Sequence, residues 1–245
     1  PLEAAQAVAA GVDHIGSVVV SETDWQVPSI YETIRFVAQA GARSSLILLF
    51  SQPELVCDSL AYYQPDIVHF CEHLAHDTAD GGLEETSQAL VLLQKRIRSK
   101  FPKIKIMRTI PLPAGAGEPD IPFLELAGRF EPVSDYFLTD TLLQTQSTTD
   151  EQPVDGFVGI TGQTCDWAAA HKLVATSRIP VILAGGMSPE NVYKGIRMVR
   201  PAGVDSCTRT NALDDQGKPL RFRKDFERVK AFISEVRRAE ADFLL

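Results

Sequence analysis

The chain carries only four cysteines in 245 residues, Cys57, Cys71, Cys165 and Cys207, and no two are spaced as C-x-x-C. That excludes a zinc-ribbon pattern and a disulfide scaffold, and it suits a reducing compartment. Long apolar runs are also missing. None approaches the ~20 residues a membrane span requires. No secretory leader pattern is visible, because the opening PLEAAQAVAAGVDH reads as an amphipathic helix and a turn. A cytoplasmic protein without a membrane partner is therefore expected. Positive charge is in deficit: 24 Lys and Arg stand against 32 Asp and Glu, a net charge of −8. Nucleic-acid binding needs a basic footprint and is not expected. No composition shift marks a linker, so residues 1–245 are expected to form a single domain.

What is present is a rhythm. HIGSVVV (14–20), SSLILLF (44–50), DIVHFCE (66–72), KIKIMRTIPL (103–112), DYFLTDT (135–141), IPVILAGG (179–186) and GVDSCT (203–208) read as strands. Several are continuous apolar runs, as strands buried on both faces should be. Each is followed by a segment of helical spacing, and one more helix (3–10) precedes them all. Only the polar stretch 142–156 interrupts the pattern. Alternating strands and helices predict a parallel sheet covered by helices. About 250 residues is the usual size of a (β/α)₈ TIM barrel. That is the expected fold, with its first strand lying upstream of Pro1 or missing. A doubly wound open sheet is the rival.

A parallel barrel places its active site at the C-terminal strand ends. Asp140 ends FLTDT and is a candidate proton donor, since a carboxyl in a dry mouth has a raised pKa; an N-cap or turn role is the ordinary alternative. Gly185 and Gly186 end the next strand. They allow close backbone approach where a helix begins, and a helix N-terminus attracts anions. Ser188, followed by Pro189 and Glu190, is the expected N-cap of that helix. Thr208 and Arg209 end the last strand, and Arg209 offers a charge-assisted contact to phosphate. His69, Cys71 and Arg108 lie near strand ends and are expected to face the interior as substrate contacts. Cys71 is the internal candidate for a proton acceptor. The run HFCEHLAHD (69–77) carries metal-ligand residue types but matches no metal-site spacing. A bound metal is not expected there. Trp25 and Trp167 are expected to pack, with a pocket wall as the alternative for Trp25.

GFVGITGQTCDW (156–167), LAGGMSPENVYKGIRMVRPAGVD (183–205) and RKDFERVKAFI (223–233) together resemble the phosphoribosylanthranilate isomerase family, and AAQAVAAGVDHIG (4–16) looks like its first helix and second strand. The resemblance implies a (β/α)₈ barrel. It also implies an Amadori-type aldose–ketose isomerisation of a phosphorylated sugar derivative, in tryptophan biosynthesis, without a cofactor. Asp140 matches the family's general acid. Gly162, Gly185 and Gly186 match its phosphate-binding glycines. Four departures accompany these matches, one of them HFCE (69–72) where the family's fourth strand reads QLHG. The family's strand-one cysteine base has no counterpart here. Its arginine after strand two is replaced by SETDWQVPS (21–29). Arg209 stands where a glycine is usual. Isomerisation of another phosphosugar, or ligand binding without catalysis, are the alternative expectations. The expected partner is a phosphorylated small molecule; the oligomeric state is not legible.

Overall fold

The computed structural model describes residues 1–74, 82–115, 121–142, 157–159 and 162–243. Seven strands form one sheet: β1 (His14–Val19), β2 (Arg43–Leu48), β3 (Ile67–Phe70), β4 (Lys105–Pro113), β5 (Tyr136–Leu142), β6 (Val181–Leu183) and β7 (Gly203–Val204). They lie side by side in chain order, and every pairing is parallel. A doubly wound sheet reverses its strand order at a switch point. This sheet never does, so it curls in one direction as a barrel wall.

Period-two alternation sorts the strand side chains into two cores. Leu46, Leu48, Val68, Phe70, Ile106, Ile110, Phe137 and Val181 face outward and join the apolar layer under the helices. Ile67, Met107, Leu138 and Ala184 face inward and fill the curl, with Tyr136 and Ile182 against them. The outer layer comprises α1 (Leu2–Ala9), α2 (Pro28–Gln39), α3 (Pro53–Tyr63), α4 (Gly82–Lys100), α5 (Phe123–Phe130), α6 (Trp167–Thr176), α7 (Val192–Val199) and α8 (Phe226–Ala241).

The sheet does not close on itself. β1 and β7 are its two edges, and no strand lies between them among the described residues. Yet α1 packs against both α2 and α8, so the helix layer passes over the gap that the sheet leaves. Seven positions of an eight-strand barrel are filled, in agreement with the expected fold.

One local expectation is corrected, and two further local features stand out. α7 begins at Val192, not Ser188, with Asn191 as its N-cap. The Asn191 side chain accepts from the Ser188 N–H at 2.8 Å and donates to the Gly186 carbonyl at 3.0 Å, and this holds Ser188–Asn191 as a turn. α6 begins at Trp167, because Asp166 accepts from the N–H groups of Ala168 and Ala169 and caps the helix there. Finally, residues 211–224 form an unexpected antiparallel hairpin, β8 (Asn211–Leu213) and β9 (Pro219–Lys224). Its strands are mostly solvated and lack an apolar alternation. The turn was readable in DDQGK: Asp214 Oδ1 accepts from the N–H groups of Gln216 and Lys218.

Candidate active site

Asp140 points into the curl, two residues beyond inward-facing Leu138. The N–H of Thr141 donates to its Oδ1 at 2.8 Å. Gly159 passes so close that a Cβ there would lie 2.6 Å from Asp140 Oδ2. Removal from water pushes this carboxyl up to about 7, against the pull of the Thr141 N–H and with help from the negative charge of Asp205. Among the described residues no cation is paired with it. A carboxyl in that state is a proton donor at neutral pH.

Three loops converge beside Asp140 and line one pocket with it. Gly186 has φ +58°, and a Cβ there would lie 2.6 Å from the backbone of Gln163 and Thr164. Gly185 has φ +87°, and its Cβ would strike Thr141 Oγ1. That hydroxyl donates to the Gln163 carbonyl at 2.6 Å. The glycine pair is therefore required by loop-on-loop packing as well as by any approach of a ligand. Gly162 sits over Thr208, and Arg209 Nε donates to the Gly162 carbonyl at 2.9 Å. Gly162, Gly185, Gly186, Thr208 and Arg209 thus surround a single opening, together with Asp205, Ser206 and Cys207. Beneath it, the Lys224 ammonium donates to the carbonyls of Ser206 and Cys207, to Thr210 Oγ1 and to Asn211 Oδ1.

The remaining expected site residues lie elsewhere. Arg108 is corrected: its neighbours Met107 and Thr109 face inward, so its own side chain faces the helices. There it donates to Glu72 Oε2 at 2.5 Å and to Gln94 Oε1 at 2.9 Å, with its guanidinium over the rings of Phe130 and Phe70. It is fully buried, away from the pocket. Cys71 faces inward but packs among Leu49, Phe157, Val18 and Ile47. Burial and the charge of Glu72 push its thiol far above the ordinary range, so as a proton acceptor it too is corrected. His69 shares a 2.7 Å hydrogen bond with Thr109 Oγ1. Burial and nearby Arg108 lower its pKa to about 3, so the ring is neutral. Neither His69 nor Cys71 lines the pocket. His76 and Asp77 lie outside the described residues. Trp25 does not wall the pocket: it packs edge-on to Tyr62, and its carbonyl accepts from the Tyr63 hydroxyl at 2.5 Å.

Asp205, Cys207 and Lys224 are site residues that the sequence did not single out. A signal for Asp205 was present, since it stands two residues past Gly203 as Asp140 stands two past Leu138. Lys224 had no such signal, because only the hairpin returns it to the pocket.

This arrangement has relatives. The model of the N-(5'-phosphoribosyl)anthranilate isomerase family matches residues 124–222. The chain is 29% identical over 177 residues to N-(5'-phosphoribosyl)anthranilate isomerase 1 of Methanosarcina mazei, covering 64% of this chain and 70% of that one. It is 34% identical over 164 residues to isomerase 2 of the same organism, covering 64% and 66% respectively. The crystal structure of phosphoribosylanthranilate isomerase from Thermotoga maritima superposes with a TM-score of 0.63 at 21% identity, covering 96% of this chain and 93% of that one. The fold is theirs, and the matched segment contains Asp140, both loop glycines of β6 and Arg209. In its matched segment and in its fold, the chain is similar to the phosphoribosylanthranilate isomerases.

Proposed function

We propose that this protein isomerises N-(5'-phosphoribosyl)anthranilate to its ketose form, with Asp140 as the general acid. The observation that carries this reading is a carboxyl held at about 7 in the same pocket as three loops suited to an anion. The phosphate is held by the glycine loops at Gly162, Gly185 and Gly186, beside Thr208. Arg209 adds charge: its Nε is committed to the Gly162 carbonyl, and its Nη groups, without a partner among the described residues, would face the anion. Asp140 then protonates the ring oxygen as the C1–O bond breaks, and the nitrogen lone pair forms an iminium at C1. Loss of the C2 proton and tautomerisation complete the isomer. C2 is oxidised and C1 reduced within one molecule, so the reaction needs no redox cofactor. The ligand is a soluble phosphorylated metabolite, and the reaction belongs to the cytoplasm. No described helix is long and apolar enough to cross a membrane.

The test is the fluorescence change that accompanies isomerisation of the aminobenzoate. Wild-type protein is expected to turn over, and Asp140→Asn to lose roughly 10²–10⁴-fold in kcat. Absence of any wild-type turnover overturns the assignment.

A further inference from the structure

Asp140 and the loops suited to the phosphate belong to different segments of the chain, and one residue is bonded to both. We propose that Thr141 is a positioning residue that fixes the spacing between the general acid and the bound phosphate. The inference rests on the function proposed above.

The end of β5 carries the first half of the argument. β5 pairs with β6 only through Phe137 and Leu138, because β6 stops at Leu183. The Phe137 N–H points to that side and donates to the Pro180 carbonyl at 2.9 Å. In a pleated strand the N–H groups two and four residues further on point the same way. The Thr141 N–H therefore lies past the last β5–β6 pair, without a ladder partner there. It turns back to Asp140 Oδ1 at 2.8 Å. A backbone donor that the sheet leaves over, and that must find an acceptor when buried, holds the acid instead.

The side chain of Thr141 carries the second half. It is fully buried, on the opposite face of the strand from Asp140. Its hydroxyl donates to the Gln163 carbonyl at 2.6 Å. Gln163 adjoins Gly162, whose carbonyl accepts from Arg209 Nε. The Gln163–Thr164 backbone is also what Gly186 packs against. Gly185 leaves room for the hydroxyl, since a Cβ there would lie 2.6 Å from Thr141 Oγ1. Both glycine loops thus meet at Thr141, and its β-branched side chain has few rotamers in which to hold them.

The chemistry needs such a link. The substrate is anchored at its phosphate, several bonds away from the ring oxygen that Asp140 protonates. Proton transfer requires heavy atoms about 2.6–3.2 Å apart. A displacement of ~1 Å costs on the order of 10²-fold in rate. Phosphate binding brings the ring oxygen to the acid only if loop and acid keep one spacing. The Thr141 N–H also favours the ionised carboxylate, against the effect of burial. Among the described residues, the titratable groups that sense Asp140 or are sensed by it are Asp205 and the thiols of Cys71, Cys165 and Cys207. A change at Thr141 replaces none of them.

The experiment compares wild type, Thr141→Val, Thr141→Ala and Thr141→Ser on the aminobenzoate substrate, with inorganic phosphate titration and thermal melting alongside. Thr141→Val keeps the shape and removes the hydroxyl; Thr141→Ala answers the same question should the valine variant not fold. Either is expected to lose about 10–10²-fold in kcat, with KM and phosphate affinity nearly held. The fall of kcat/KM above neutral pH is expected to move upward, because a loosened N–H no longer favours the carboxylate. Thr141→Ser is expected to restore most of the rate and the pH profile. Unchanged kcat, a loss confined to KM, a loss matched by weaker phosphate binding, an unmoved pH profile, or no rescue by serine overturns the inference and leaves the proposed function standing. A silent wild type overturns both.

Discussion

Arg108 Nη1 donates to Glu72 Oε2 at 2.5 Å in a compartment where the arginine has no exposed surface. Gln94 Oε1 accepts from its Nε, and Phe130 and Phe70 cover its faces. One oxygen of Glu72 and one nitrogen of Arg108 have no partner among the described residues. A buried pair in this state is costly to break from one side only. Arg108→Met alone is expected to destabilise the protein by about 3–5 kcal/mol, because it strands a buried carboxylate. Arg108→Met combined with Glu72→Leu is expected to recover most of that loss. Urea unfolding of wild type and the two variants measures both.

Asp140 gives a pH dependence of definite sign. Its carboxyl is raised from 3.8 to about 7. Below about pH 4 it is protonated in both folded and unfolded chains. As pH rises towards and through 7, the unfolded chain loses the proton first, and the folded chain must then bury a charge. The contribution of Asp140 to stability is therefore present in acid and lost as pH passes about 7. Asp140→Asn is expected to flatten this part of the stability curve. In the active enzyme kcat/KM is expected to fall over the same rise, since the donor form disappears.

The loop glycines separate conformational strain from overlap. Gly11 and Gly41 have φ of +96° and +79°, and no atom lies within 4 Å of the place a Cβ would take. Gly186 instead combines φ +58° with the Gln163–Thr164 backbone at 2.6 Å from that place. Gly41→Ala is expected to cost about 1–2 kcal/mol, the left-handed backbone alone. Gly186→Ala is expected to cost a further ~1–3 kcal/mol from overpacking and to abolish phosphate binding. Denaturation curves and phosphate titration distinguish the two.

Lys224 ties the 206–211 loop together through four oxygen acceptors. Lys224→Met leaves those oxygens without this donor in a half-buried setting. A loss of about 1.5–3 kcal/mol is expected, the scale of a charged hydrogen bond. Phosphate affinity should fall with it, because Thr208 and Arg209 belong to the same loop. A variant with unaltered affinity would detach the hairpin from the site.

The open seam is testable by hydrogen exchange. Among the described residues β1 is bonded only to β2, whereas β4 is bonded on both sides. Amides of His14–Val19 are expected to exchange well before those of Lys105–Leu112.

The sequence by itself determined the alternation of strands and helices, the parallel sheet and the position of Asp140 and the glycine pair. These are local matters: apolar runs, helical spacing and turn residues act over a few neighbours. Which face each strand residue took was decided only in the folded molecule. Arg108 and Asp205 show why. Alternation says that neighbours point opposite ways, but not which way is inward; pairing with the adjacent strands settled that, sending Arg108 to the helices and Asp205 to the pocket. The hairpin that brings Lys224 against the 206–211 loop was likewise a tertiary decision, held by contacts between segments that local sequence does not encode.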